Sequence, residues 1–228
     1  MSAASAGIPA NRAVRFYQAS IGKKAVMAAT GSVLIGFVLG HMIGNLQIFL
    51  GREQINHYAQ LLHAKPAVLW AVRSVLIACV LLHGIAAFQL WMLKRRARPS
   101  RYVKESDPPS GYASRTMLWS GPIIAAFVTF HIMHLTTGTA GLPFRELDVY
   151  DNLVNGFRIL PVSIAYVVAM ALLCLHLYHG VWSMFQSLGI SHPRYTPLLK
   201  RFSAIFAVAV AAGNISIPLA ILTGLVGS

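Results

Sequence analysis

The chain has 228 residues, of which 56% are hydrophobic and only 11% are charged, and its formal net charge is +13. A soluble domain carries about 25% charged residues, so this composition excludes a protein whose whole surface faces water. The basic residues lie in short segments between long apolar runs, a pattern typical of membrane topology, so we expect no nucleic-acid partner.

Five apolar stretches are long enough to cross a bilayer, whose hydrocarbon core is about 30 Å thick and takes roughly 20 helical residues to span. In chain order they cover residues 25–50, 67–93, 117–137, 161–188 and 202–226. Lipid offers no partner to a free peptide group, and the apolar residues do not alternate as in a strand. The sequence therefore predicts an all-α integral membrane bundle, with an N-terminal segment at 1–24 and a single five-helix domain at 25–228.

The basic residues also predict how the bundle is oriented. Most of the 19 lysines and arginines precede the first helix or lie between helices two and three or four and five. By the positive-inside rule, the N-terminus is cytoplasmic and the C-terminus lies outside. The proline-containing loop at 94–115 is predicted as a surface connector. Residues 138–160, which mix apolar and charged side chains, are predicted as a short amphipathic segment on the outer surface.

Histidines at membrane depth are the main chemical signal in this sequence. Three of the nine, His57, His63 and His192, fall in predicted loops. The other six fall inside the first four predicted helices: His41, His83, His131, His134, His176 and His179. Polar groups at bilayer depth are costly and usually face a functional interior, so we expect these six to surround a site.

The depth of each histidine sorts the six into two layers. Counted from the helix ends, His41 and His131 lie nearer the outer face, whereas His83 and one of the pair His176 and His179 lie nearer the cytoplasm, about 8 Å away at 1.5 Å per residue. Two haem b groups with two histidine ligands each would need this arrangement, and such haems carry electrons because no iron position is open. Zinc would need its ligands gathered in one tetrahedron.

Glycines accompany these histidines, and two interpretations of them remain open. Bare backbone lets a flat macrocycle approach closely, but small residues also let two helices pack closely. The glycines concerned are Gly31, Gly36, Gly40 and Gly44 on the first helix, Gly84 on the second and Gly180 on the fourth.

Six stretches of the sequence resemble the cytochrome b subunit of succinate dehydrogenase and fumarate reductase, the five-helix, di-haem membrane anchor. They are GHMIGN at 40–45, NHYAQLLH at 56–63, LWAVR at 69–73, YASRTM at 112–117, FHIMHLTTG at 130–138 and LHLYHGVWSMFQ at 175–186. The last stretch is the most specific of the six. The resemblance covers most of the chain from about residue 16 onward.

The resemblance implies one axial ligand from each of the first four helices. These ligands are His41 and His131 for the iron of the outer haem and His83 and His176 for the iron of the inner haem. The family pattern favours the first histidine of each doublet, whereas spacing alone leaves the choice open, because residues three apart share one helix face. The second histidines, His134 and His179, are therefore expected to support a ligand or to pack.

Two further residues receive roles, Arg73 from the resemblance and Asn45 from its depth. Arg73 is expected to form a salt bridge with a propionate of the outer haem; the alternative is a side chain that extends to the interface. Asn45, at a similar depth, is expected to line an outer quinone pocket.

The function implied by the resemblance is electron transfer between the iron–sulfur subunit of a succinate:quinone oxidoreductase and a membrane quinone, commonly menaquinone, in the bacterial inner membrane. The chain has neither a glycine-rich dinucleotide fingerprint nor cysteine clusters. A flavoprotein subunit and an iron–sulfur subunit are therefore the expected partners, besides lipid, and no catalytic residue is expected in this chain. The alternatives are a cytochrome b subunit of a formate dehydrogenase or hydrogenase, and a non-haem transporter.

Overall fold

The computed structural model describes residues 12–97 and 112–227, which form eight α-helices and no strand. The helices are α1 (Arg12–Gln18), α2 (Ser20–Asn45), α3 (Arg52–His63), α4 (Pro66–Arg96), α5 (Tyr112–Leu135), α6 (Val149–Phe157), α7 (Leu160–Ser187) and α8 (Thr196–Leu222). A 3-10 turn, Leu46–Leu50, follows α2 directly. Most of the predicted connector at 94–115 lies outside the described residues.

Five of these segments are long and apolar enough to cross a membrane. They are Ser20–Leu50, Pro66–Arg96, Thr116–Leu135, Leu160–Ser187 and Thr196–Leu222. The prediction of an all-helical chain with five spanning helices is confirmed, and the chain is a multi-pass membrane protein.

The first spanning helix begins at Ser20, earlier than the predicted residue 25. The predicted span excluded the charged residue Lys23, whereas in the structure the helix continues through it. Lys23 is only 8% exposed, and its ammonium donates to the carbonyl oxygens of Tyr17 at 2.9 Å and Gln18 at 2.8 Å. These carbonyls end α1, where a helix leaves its acceptors unsatisfied, so Lys23 holds α1 against the start of α2.

Two short helices close one end of the bundle, and the first of them replaces a predicted loop. The predicted loop that contains His57 and His63 is helix α3, whose Ile55 and Ala59 share one buried face. Helix α6 forms within the predicted amphipathic segment, but its Leu153 and Phe157 are buried. It therefore packs into the end of the bundle and does not simply lie on the outer surface.

Helices α2 and α7 form the centre of the bundle. Helix α2 packs against α4, α7 and α8, while α7 also packs against α5 and α8. Within the described ranges, α2 shares no extensive contact with α5, and α4 shares none with α7. A gap therefore separates the helices of each of these two pairs.

Candidate functional site

Two pairs of histidines face each other across these gaps. The ring centres of His41 on α2 and His131 on α5 are 5.7 Å apart, and the ring planes are inclined at 86°. The ring centres of His83 on α4 and His176 on α7 are 6.4 Å apart, with the planes at 54°. The structure thus brings together the same two pairs that the sequence analysis proposed.

The spacing of each pair fits a metal ion between the two rings. An imidazole nitrogen binds a transition metal at about 2 Å, and the ring centre lies about 1 Å further away, so two rings on opposite sides of one metal have centres about 6 Å apart. The described residues contain no group of three or more histidine, cysteine or acidic side chains that could hold a metal ion. A pair of imidazole nitrogens is a donor set that haem iron accepts.

Contacts between the helices place the two pairs at different levels. A Cβ atom on Gly31 of α2 would lie 3.4 Å from Cε1 of His83, so His83 lies level with Gly31 and well below His41. Along α2, Gly31 and His41 are separated by about ten residues, or about 15 Å. This separation exceeds the expected 8 Å, because that count assumed that all the helices end at common depths.

A hydroxyl group from a neighbouring helix faces Nδ1 of three of the four paired histidines. The contacts are Thr30 Oγ1 with His83 at 3.2 Å, Tyr166 Oη with His131 at 3.2 Å, and Ser120 Oγ with His176 at 3.5 Å. A partner on one ring nitrogen fixes the orientation of the ring and leaves the other nitrogen as the ligand. The sequence-based prediction did not include these three hydroxyl groups. Each is a polar side chain inside an apolar stretch, and that position could have identified it.

The Thr30 contact also indicates where the proton of His83 lies. The Thr30 hydroxyl donates to the carbonyl oxygen of Val26 at 2.7 Å. Its oxygen is then left to accept from Nδ1–H of His83. Because a neutral imidazole carries one proton, Nε2 of His83 keeps its lone pair.

His134, the second histidine of the α5 doublet, is enclosed by protein. The side chain is fully buried, its Nδ1 lies 2.9 Å from Tyr166 Oη, and its Nε2 has no hydrogen-bond partner. A Cβ atom on Gly156 would collide with the His134 ring. No macrocycle fits against this ring, which favours His131 as the ligand.

His179, the second histidine of the α7 doublet, has a different environment. Its Nε2 lies 3.1 Å from the hydroxyl of Ser183, one turn further along the same helix. The His179 ring is therefore engaged by its own helix, whereas the His176 ring faces His83. This geometry favours His176 as the ligand.

The glycines next to the histidines divide into two groups. A Cβ atom on Gly36, Gly40, Gly84 or Gly180 would meet no atom within 4 Å. Close helix packing would place atoms there, so the space beside these four positions is open. Gly44 differs, since the ring of Tyr58 lies directly against it, and there the packing interpretation holds.

Arg73 and Asn45 lie near the level of His41. Helix α4 runs antiparallel to α2, and His83 is level with Gly31, so Arg73 reaches the level of His41. The Arg73 guanidinium lies over the ring of Trp70, 5.2 Å from its centre. Asn45 is half-buried at the end of α2, one turn beyond His41. The propionate and quinone roles of these two residues stay predictions.

A polar cluster that the sequence analysis missed joins α3 to α6. Arg52 forms ion pairs with Asp148, at 3.4 Å, and with Asp151. Asn56 donates to Asp148 at 2.9 Å and accepts from the backbone N–H of Tyr150 at 3.0 Å. The hydrogen bond from Arg52 lowers the pKa of Asp151, so the carboxylate stays charged. This cluster fastens the two helices that close the bundle beyond the His41–His131 pair.

Comparison with known proteins adds no relative. No family model, no curated protein and no solved structure matches this chain. Function is therefore inferred from the residues and their geometry.

Proposed function

We propose that this protein is a di-haem cytochrome b, the membrane anchor of a bacterial succinate:quinone oxidoreductase, in the inner membrane with its N-terminus in the cytoplasm. The observation that carries the proposal is the pairing of four histidines from four helices, with ring centres 5.7 and 6.4 Å apart. The motif at 175–186 supports assignment to this complex rather than to another quinone-linked dehydrogenase.

Each residue group has a defined task in this proposal. His41 and His131 hold one haem b, and His83 and His176 hold the other. When bound, haem b with two imidazole ligands supplies reversible one-electron chemistry. The Thr30, Ser120 and Tyr166 hydroxyls orient the imidazole rings, and open backbone at the neighbouring glycines leaves room beside them.

The proposed partners follow from what this chain lacks. Its sequence has no cysteine cluster and no dinucleotide fingerprint, so a flavoprotein and an iron–sulfur subunit supply those functions from the cytoplasmic side. Membrane quinone, menaquinone in our proposal, exchanges electrons near the outer level, around Asn45. Arg73, at that level, offers a cation to a haem propionate.

The first test is the haem content of the purified full chain. The pyridine haemochrome assay is expected to give two haems b per chain, with a low-spin reduced-minus-oxidised spectrum. His63→Ala serves as the control variant, since His63 ends α3 and bonds the carbonyl oxygen of Ala59. Complete absence of a b-type signal would favour the transporter alternative, and a single haem would contradict the proposal that each histidine pair holds a haem.

The second test concerns the electron donor. Succinate added to the assembled complex is expected to reduce the haems of this chain. Reduction by formate or hydrogen in place of succinate would assign the chain to the alternative dehydrogenases.

A further inference from the structure

One tyrosine hydroxyl contacts both histidines of the α5 doublet. Oη of Tyr166 lies 3.2 Å from Nδ1 of His131 and 2.9 Å from Nδ1 of His134. Tyr166 is 6% exposed and His134 is fully buried, so bulk water does not compete for these bonds. Two ring nitrogens therefore share a single hydroxyl group.

The positions of the hydrogen atoms follow from the number of donors. A tyrosine hydroxyl donates one hydrogen and accepts others, and a neutral imidazole has one N–H and one lone pair. The Tyr166 hydrogen itself needs an acceptor, and its only neighbouring ones in the described residues are these two Nδ1 atoms. One histidine therefore donates to Tyr166, and the other accepts from it. If Tyr166 donated to His131, the proton of that ring would lie on Nε2, and a protonated nitrogen does not bind a metal.

We propose that Tyr166 is a positioning residue that selects His131 over His134 as the haem ligand. Nδ1–H of His131 donates to Tyr166, and Tyr166 donates to Nδ1 of His134. Nε2 of His131 is then free to bind iron, while His134 keeps its proton on Nε2. The inference rests on the proposed function, because it names the residue that prepares one of the four ligands.

The surroundings of His134 agree with this assignment. Its ring lies 5.7 Å from the ring of Phe130 and 6.2 Å from that of Phe157, measured between centres. Its Nε2 lies against Gly156 and has no hydrogen-bond partner, so only the bond at Nδ1 distinguishes the two tautomers of His134. His134 thus cannot turn toward a cofactor, and its one hydrogen-bonding task is to accept from Tyr166.

Haem titration of the full chain, purified without haem, tests the proposal. Tyr166→Phe is expected to weaken one of the two sites by about 10- to 100-fold, the usual cost of losing the partner of a metal-bound histidine, and to leave the other unchanged. Tyr178→Phe is the matched control on the same helix, because its hydroxyl has no hydrogen bond in the described residues. Equal affinities in Tyr166→Phe and the unchanged chain would overturn the inference and leave the proposed function standing.

A second measurement needs no haem. Nitrogen NMR of the haem-free chain with isotope-labelled histidine, assigned with His131→Ala and His134→Ala, reports which ring nitrogen carries the proton. We expect Nδ1–H on His131 and Nε2–H on His134, whereas reversed or identical tautomers would refute the bridge. A chain that binds no haem would refute the proposed function, and the tautomers would still decide whether Tyr166 bridges the doublet.

Discussion

The His41–His131 level is surrounded by aromatic rings and closed by two short helices, whereas the His83–His176 level is bordered by small hydroxyl groups and an exposed helix. Phe37 stacks on His41, and Phe127 and Tyr166 lie beside His131. At the other level, Thr30 and Ser120 face the two rings. The first level is thus shaped by packing of the chain itself. At the His83–His176 level, α4 and α7 share no extensive contact, so the arrangement of the two helices there depends more on what binds between them.

The largest expected effect is loss of a haem, and it should distinguish the first histidine of each doublet from the second. His131→Ala and His176→Ala should each remove one haem, because each deletes one of the four proposed iron ligands. His134→Ala and His179→Ala should each retain both haems. The pyridine haemochrome assay on the four variants decides this, and loss of a haem in either of the latter two would move the ligand by one turn.

A large side chain in place of a glycine that has open space beside it should lower haem occupancy only at the neighbouring histidine pair. Gly40→Leu and Gly84→Leu project into open space, so the haem-free bundle should keep its stability while one haem is lost in each variant. Gly44→Leu provides the contrast, since the Tyr58 ring already fills the space. That variant should lose stability with or without haem. Unfolding of haem-free samples by a denaturing detergent measures the difference.

The second histidines should differ in their contribution to stability. His134 is fully buried and bonded to Tyr166, so His134→Ala should cost about 2–3 kcal/mol through the cavity and the lost hydrogen bond. His179 is only half-buried and bonds its own helix, so His179→Ala should cost less than about 1 kcal/mol. Equal costs would show that the two levels are packed alike.

The smallest expected effect lies at the Arg52 cluster, which fastens the helices beyond the His41–His131 pair. Arg52→Leu should lower the melting temperature slightly at neutral pH, since surface ion pairs contribute little. The pKa of Asp151 is lowered by Arg52, so the contribution is present above the usual aspartate value of about 3.9 and is lost as pH falls through the lowered pKa. The two melting curves should therefore converge in acid. The Arg52 guanidinium also lies over the ring of Tyr150, 4.8 Å from its centre, and a difference that persists at low pH would assign the effect to this contact.

The spanning helices and the histidine pairs were predictable because they depend on local properties of the sequence. Long apolar runs dictate membrane helices, and a histidine within such a run stands out. Helix α3 was missed because its polar residues conceal a short buried face formed by Ile55 and Ala59. The family pattern, rather than the spacing, favoured His131 and His176 within their doublets.

The partners of the histidines depend on the register between helices, which no single segment encodes. Tyr166 lies far along the chain from His131 and His134, and only the packing of α7 against α5 brings its hydroxyl to both rings. The distance between the two levels was underestimated for the same reason. The distance between the levels is set by contacts between helices, such as that of Gly31 with His83, and cannot be counted from the helix ends.

Helix α4 has extensive contact with α2 alone among the described helices, with a smaller contact to α3, and Ala86 is its only buried residue there. Such weakly held elements open locally before the rest of a protein does. The backbone amides of α4 should therefore exchange hydrogen for deuterium sooner than those of α7. Because His83 and His176 lie on these two helices, a haem bound between them as proposed would connect α4 to α7 and slow that exchange. Hydrogen–deuterium exchange of the α4 peptides would therefore report whether the cofactor is bound, without any optical signal from it.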